Sequence, residues 1–298
     1  MIGPQATERR HDHTMSDSPA HARQLSQWRI YFDRAMARDL LGDLLLLVEE
    51  APSHSIAVEA HRLVAERLLA HHQPRLAAAQ LRALLAAQPA DTRAQDQLSA
   101  AEASADASSS THTEPPRVLL FSGHMIDAPH RATPRFPPDK EPIAARAIAE
   151  ALEQFHSGPR DTAICSGACG GDLLFAEACH DRGLPIHLYL PFEESEFLAT
   201  SVAFANGRWL DRYWNLASHP RTAVRIMPRE LGRPPAGANP YVRNNFWQLY
   251  SALATGSVQF LALWNGQGGD GPGGTKHMVE TVQRHGGQAT ILDSTTLW

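Results

Sequence analysis

The sequence predicts an α/β protein, a doubly wound, Rossmann-like parallel sheet preceded by a small all-α helical segment. Three observations predict it. From about residue 117 onward, short apolar runs alternate with stretches of helical period. Several of those runs empty into glycine-rich turns that open a helix, the pattern of parallel strands with helices on both faces. Before residue 103 the pattern is helical throughout, rich in Ala, Leu, Arg and Gln, with no strand signal.

Composition bounds the rest. With 298 residues, 43% hydrophobic and 20% charged, the chain can bury one sizeable core and a smaller one. The most apolar run, Leu40 to Val48, is interrupted by Asp43 and too short to cross a bilayer, so no membrane partner is expected. The first residues lack the apolar centre of a secretory leader, and three cysteines (Cys165, Cys169, Cys179) make no disulfide framework; both point to the cytoplasm. Cys165 and Cys169 have no partner pair for a metal and read as buried thiols, so no metal site is expected. A net charge of −5 without a long basic run argues against nucleic acid as the main partner.

In chain order, residues 1–20 are polar and aperiodic and read as disordered. Residues 21–103 read as a helical domain with helices at 24–38, 40–50, 55–71, 75–88 and 92–103. Within it, Ala77, Leu81, Leu84 and Pro89 fall near the small, large and proline positions of a tetratricopeptide hairpin. The aromatic and glycine positions of that repeat are absent, so a small bundle that packs on the second domain or dimerises stands beside a partner-binding repeat. Residues 104–116 are small and polar, end in two prolines, and read as the linker to a domain at 117–298. Strands are expected at 118–121, 162–165, 186–190, 223–227, 258–264 and 289–292. Helices are expected at about 141–156, 172–182, within 195–216, at 241–254 and at 275–285.

In such a sheet, ligands sit at the carboxyl ends of the strands. There the first strand meets Ser122-Gly123-His124, the second meets Ser166-Gly167-Ala168-Cys169-Gly170-Gly171-Asp172, and the fifth meets a loop with six glycines between Gly266 and Gly274. Glycines let backbone approach a ligand, and a helix start offers unpaired N–H groups to an anion, so a phosphate is the natural guest. The Gly167-x-x-Gly170 spacing differs from the dinucleotide fingerprint, and no acidic residue closes the Ile186–Leu190 strand. Lys276 follows Thr275 in the wrong order for a P-loop, so no redox dinucleotide or other cofactor is expected.

The glycine turn after the second strand, the helix PYVRNNFWQLYSAL, the following apolar strand, and PGGT leading into a helix with a glutamate together resemble the SLOG superfamily. That group includes the LOG-type nucleoside-monophosphate phosphoribohydrolases and the DprA/Smf proteins, and the resemblance spans about residues 117–293. It implies a Rossmann-like fold, a nucleotide ligand and a homodimer. It also implies ligand binding by Gly123, by Gly167, Gly170 and Gly171, and by Pro272, Gly273, Gly274 and Thr275. Arg243 matches the helical arginine that assists cleavage in LOG enzymes. Their glutamate lies three residues after the threonine, where this chain has Met278; Glu280 lies five after, about 200° round the helix.

The residues give their own reading beside that resemblance. A carboxylate near the anomeric carbon assists glycosidic cleavage and a guanidinium holds a phosphate bidentately, which makes Glu280 and Arg243 the catalytic candidates. Arg243 lies near its helix's amino end, where positive charge is mildly unfavourable, and that placement favours a phosphate contact over a plain surface arginine. Asp270 reads as a ribose acceptor or a turn initiator, and Gly271 adjoins it. The long loop 122–138 reads as a ligand-edge loop in which Arg135 meets a phosphate and Phe136 either stacks on a base or plugs the core. His124 is a ligand contact or a turn residue, and Asn244 and Asn245 are placed to bond a base edge. The expected function is a nucleotide-binding or sensing module coupled to a helical, protein-binding segment. The alternatives are a LOG-like phosphoribohydrolase and an NAD-consuming or deoxyribosyltransferase-like enzyme.

Overall fold

The computed structural model describes residues 19–108, 116–205, 207–268 and 271–298. Five helices come first: α1 (Pro19–Ala37), α2 (Leu41–Glu49), α3 (His54–Ala70), α4 (Pro74–Ala87) and α5 (Thr92–Ser108). Local chemistry sets several of their starts. Ser53 caps α3 by accepting from the Ile56 N–H, and Pro74 occupies the first turn of α4, where no N–H partner is needed. Disorder was the expectation for residues 1–20, but Pro19 and Ala20 already belong to α1, and residues 1–18 lie outside the described residues. Likewise α5 runs on to Ser108, past the expected linker start at 104, and residues 109–115 lie outside the described residues.

The remainder is a six-stranded, all-parallel sheet: β1 (Arg117–Gly123), β2 (Thr162–Cys165), β3 (Ile186–Leu190), β4 (Thr222–Ile226), β5 (Ser257–Trp264) and β6 (Ala289–Asp293). Helices α6 (Glu141–Gln154), α7 (Gly171–Asp181), α8 (Glu194–Ser201), α9 (Gly207–Ala217), α10 (Met227–Glu230), α11 (Pro240–Thr255), α12 (Thr275–Arg284) and α13 (Ser294–Leu297) connect and cover the strands. The spatial order β4-β3-β2-β1-β5-β6 means that the chain winds outward from β1 to β4 and then returns to β1's other side. That reversal opens a crevice between the β1 and β5 loops, where a doubly wound sheet holds its ligand. β1 is longer than expected: Ser122 and Gly123 pair with Ala262 and Leu263, so they belong to the strand rather than to a turn.

Alternate strand residues face opposite layers. Leu119, Phe121, Cys165 and Leu188 pack with Ile148 of α6 and Phe175 of α7, whereas Val118, Leu120, Ile164 and Phe260 pack with Trp247 of α11 and Met278 of α12. The second core does not stop at α11. Leu44, Leu47 and Val48 of α2 and Trp28 and Phe32 of α1 belong to it, so the first two helices form a further layer packed outside α11. Helices α3 to α5 carry a smaller core of their own around Leu81 and Leu84.

The α2–α11 seam is tight and polar at once. A Cβ added to Gly42 would lie 2.5 Å from the Cα of Ser251, so only glycine permits this approach. Beside it the Asp43 carboxylate, 1% exposed, accepts from Trp247 Nε1 at 2.8 Å and from Arg225 Nη2 at 3.1 Å. Burial pushes the Asp43 carboxyl up and Arg225 pulls it back down. Arg225 in turn lies over the rings of Trp247 and Tyr189, 5.0 and 5.3 Å from their centroids. Among the described residues no helix is long and apolar enough to cross a membrane.

Candidate functional site

Three strand-to-helix connections converge at the crevice, and close packing explains their glycines. Gly170 has φ +96°, and a Cβ there would lie 2.5 Å from the Ile126 nitrogen. This lets the β2 turn lock onto the β1 loop: the Gly171 N–H donates to the His124 carbonyl at 3.0 Å and the Ile126 N–H to the Cys169 carbonyl at 3.3 Å. The His124 N–H donates to the Leu263 carbonyl at 3.1 Å, which ties the β1 loop to β5. Gly273, at φ +86°, brings the last loop against α11: its Cβ would meet that of Tyr241 at 2.5 Å, and Asn245 Nδ2 donates to its carbonyl at 2.9 Å.

Between these loops lies a cavity of about 400 Å³, within the usual range for small-molecule sites. Of the expected residues it gathers Ser122, Gly123, His124 and Arg135 from the β1 side, Ser166 and Asp172 from the β2 side, and Asn244 from α11. Gly271, Gly273, Gly274 and Thr275 complete the wall after β5. Gly167, Gly170 and Gly171 do not line it; they pack the turn behind it. Asp270 lies outside the described residues.

The two expected catalytic residues are elsewhere. The Arg243 side chain is 3% exposed and points away from the cavity, donating to both carboxylate oxygens of Glu50 at 2.7 Å and to the carbonyls of Leu231 and Gly232. An arginine near a helix start does need a partner, and here that partner is the carboxylate just after α2 rather than a phosphate. Glu280 stands on the exposed face of α12, 54% exposed, with Lys276 Nζ 3.7 Å away. Met278, at the LOG glutamate position, is buried in the core. Phe136 does not stack on a ligand either. It is fully buried against Trp298, ring centroids 5.4 Å apart, and its loop is closed by Asp127, whose Oδ2 accepts the Arg135 and Phe136 N–H groups at 2.8 and 2.9 Å.

The charges around the cavity favour an anion near α12. Gly274 precedes that helix with no side-chain cap, so its first N–H groups are free of intrahelical partners, and Lys276 and Arg135 line the same cavity. Burial and the Arg135 charge hold His124 down at about 4, so it is neutral near pH 7. Its Nε2 accepts the Asn265 N–H at 3.2 Å, which leaves the proton on Nδ1. Ser166 Oγ accepts from Asn244 Nδ2 at 3.3 Å and Gln248 Nε2 at 3.0 Å, which leaves its hydroxyl proton to donate. Burial raises Asp172 to about 7, opposed by nearby N–H groups, first that of Ala168. The three cysteines are buried free thiols, with Cys169 pushed up to about 12, and no metal-binding cluster occurs among the described residues.

Sequence reasoning missed one wall. Pro191, Phe197, Thr200 and Ser201 line the cavity from the β3–α8 connection. That connection has no glycine signature, and its only signal was position, directly after a strand's carboxyl end. Lys276, Asn239 and Tyr241 were likewise not foreseen as lining residues. No protein-family model matches the chain, and no curated protein matches it.

Proposed function

We propose that the crevice binds a nucleotide or nucleotide-derived anion, and that α11 reports its occupancy to the helical segment. The observation that carries this reading is the convergence of Lys276, Arg135 and the uncapped start of α12 on one cavity at the β1/β5 reversal. The SLOG resemblance supports the same ligand class. The reporting half rests on α11 having two working faces. Asn244 and Asn245 line the cavity, while Arg243, Trp247 and Tyr250 bond Glu50, Asp43 and Glu49 on or beside α2. A ligand that biases α11 therefore biases α2. Helices α3 to α5, with tetratricopeptide-like spacing in part, are the segment through which a protein partner would read that change.

Binding is preferred to phosphoribohydrolase activity because Arg243 is engaged by Glu50 and Glu280 is turned to solvent. Hydrogen exchange on the full chain with and without AMP tests the coupling. Saturating AMP is expected to slow exchange in the loop 271–275 and also in α2; slowing in the loop alone would remove the reporting role and leave a binding site.

A further inference from the structure

We infer that the cavity has a second, acceptor-lined pole at Asp172 and Asn244, so that its ligand carries a hydrogen-bond-donor group about two strand spacings from its anion. This rests on the anion reading above and adds what the rest of the ligand must offer. Asp172 stands in the first turn of α7 directly after β2, whereas Gly274, Thr275 and Lys276 follow β5. β1 lies between those strands, and neighbouring strands are about 4.8 Å apart, so the poles are ~10 Å from each other.

The acceptor pole is built into the fold. Asp172 is 7% exposed, lines the cavity, and has no ion-pair partner among the described residues. Its Oδ2 accepts the Ala168 N–H at 3.3 Å, and the N–H groups of Gly123, Ser166 and Gly167 also act on the carboxyl. Asn244 is 2% exposed; its Nδ2 donates to the Tyr189 carbonyl at 2.9 Å and to Ser166 Oγ, while its Oδ1 is buried without a partner. A buried acceptor lacking a donor, as Asn244 Oδ1 is, is costly, and most such groups find a partner in protein, water or ligand. An oxyanion by itself offers no donor to these acceptors. The ligand class that satisfies both poles is an anion extended by a hydroxyl- or amino-bearing group. Ribosyl hydroxyls and a base amino group are the two sources of that chemistry.

The test is calorimetric titration of the full chain with AMP, 2′,3′-dideoxy-AMP, ribose 5-phosphate and inorganic phosphate, comparing unmodified protein, Asp172→Asn and Lys276→Ala. Asp172→Asn is expected to weaken AMP at least about tenfold while changing inorganic phosphate less than about twofold; Lys276→Ala is expected to weaken both. If ribosyl hydroxyls are the donors, Asp172→Asn also weakens ribose 5-phosphate and spares the dideoxy nucleotide; if the base amino group is, the pattern reverses. Equal AMP affinity in unmodified protein and Asp172→Asn overturns the second pole, as does phosphate binding without AMP binding. Failure of every ligand to bind the unmodified protein instead removes the anion site itself. Circular dichroism checks folding, and Asp172→Ser replaces Asp172→Asn if the latter does not fold.

Discussion

Two buried titratable residues face one cavity, and their shifts run in opposite directions. Asp172 is raised in the folded protein to about 7, so its contribution to stability is present below the unfolded carboxylate range and is lost as pH rises through about 7. Asp172→Asn removes that loss. Its melting temperature is expected to exceed that of the unmodified protein by several degrees at pH 8 and to approach it only below about pH 4, as differential scanning calorimetry would show. His124 is held down at about 4, so its contribution is complete above its ordinary value of 6.5 and is lost as pH falls towards 4. His124→Gln is expected to flatten that acid-side decline; an unchanged slope between pH 6.5 and 4 would mean that His124 is not buried as a neutral ring. Neither shift was legible in the sequence. Asp172 reads there as one more residue of a glycine turn, and its burial follows from the locking of the β1 and β2 loops through Gly170 and Gly171.

At the scale of elements, α2 and α11 govern the molecule. Every residue from Leu41 to Val48 is buried, because α2 is enclosed by α1, α3 and α11. An apolar run on all sides of a short helix is the sequence signal of such enclosure, and it was available in LGDLLLLVE. What could not be read was the partner, because Glu50 and Arg243 lie 193 residues apart and no local period links them. The arginine's position near a helix start was legible, and its destination was not. Gly42→Ala is expected to destabilise the protein by about 2 kcal/mol in urea titration, since its methyl group would overlap the backbone of Ser251. Arg243→Ala leaves Glu50 half-enclosed without its cation and is expected to cost about 3 kcal/mol. A stability change of a few tenths of a kcal/mol in either variant would show that the seam is loose in solution.

For the whole molecule, the parallel sheet and its order of elements were legible because each apolar run is bounded by a turn signal and followed by a helical period. The glycine loops also lie at the edge of the sheet where the cavity opens. The β3–α8 wall was not legible, and the packing of a helical bundle on the sheet domain was expected without the residues that make it, since both depend on contacts between distant parts of the chain. Because α1 and α2 share a core with the sheet, the helical segment is expected to unfold with it. Amides of α2 and β1 should exchange with the same opening free energy in native-state hydrogen exchange, whereas separate openings would mark two independent domains. An anion site at the β1/β5 reversal can be tested by titrating the full chain with AMP and following melting temperature in unmodified protein and Lys276→Ala. A saturable rise that Lys276→Ala weakens at least about fivefold is the predicted result, and no rise at any AMP concentration would contradict it.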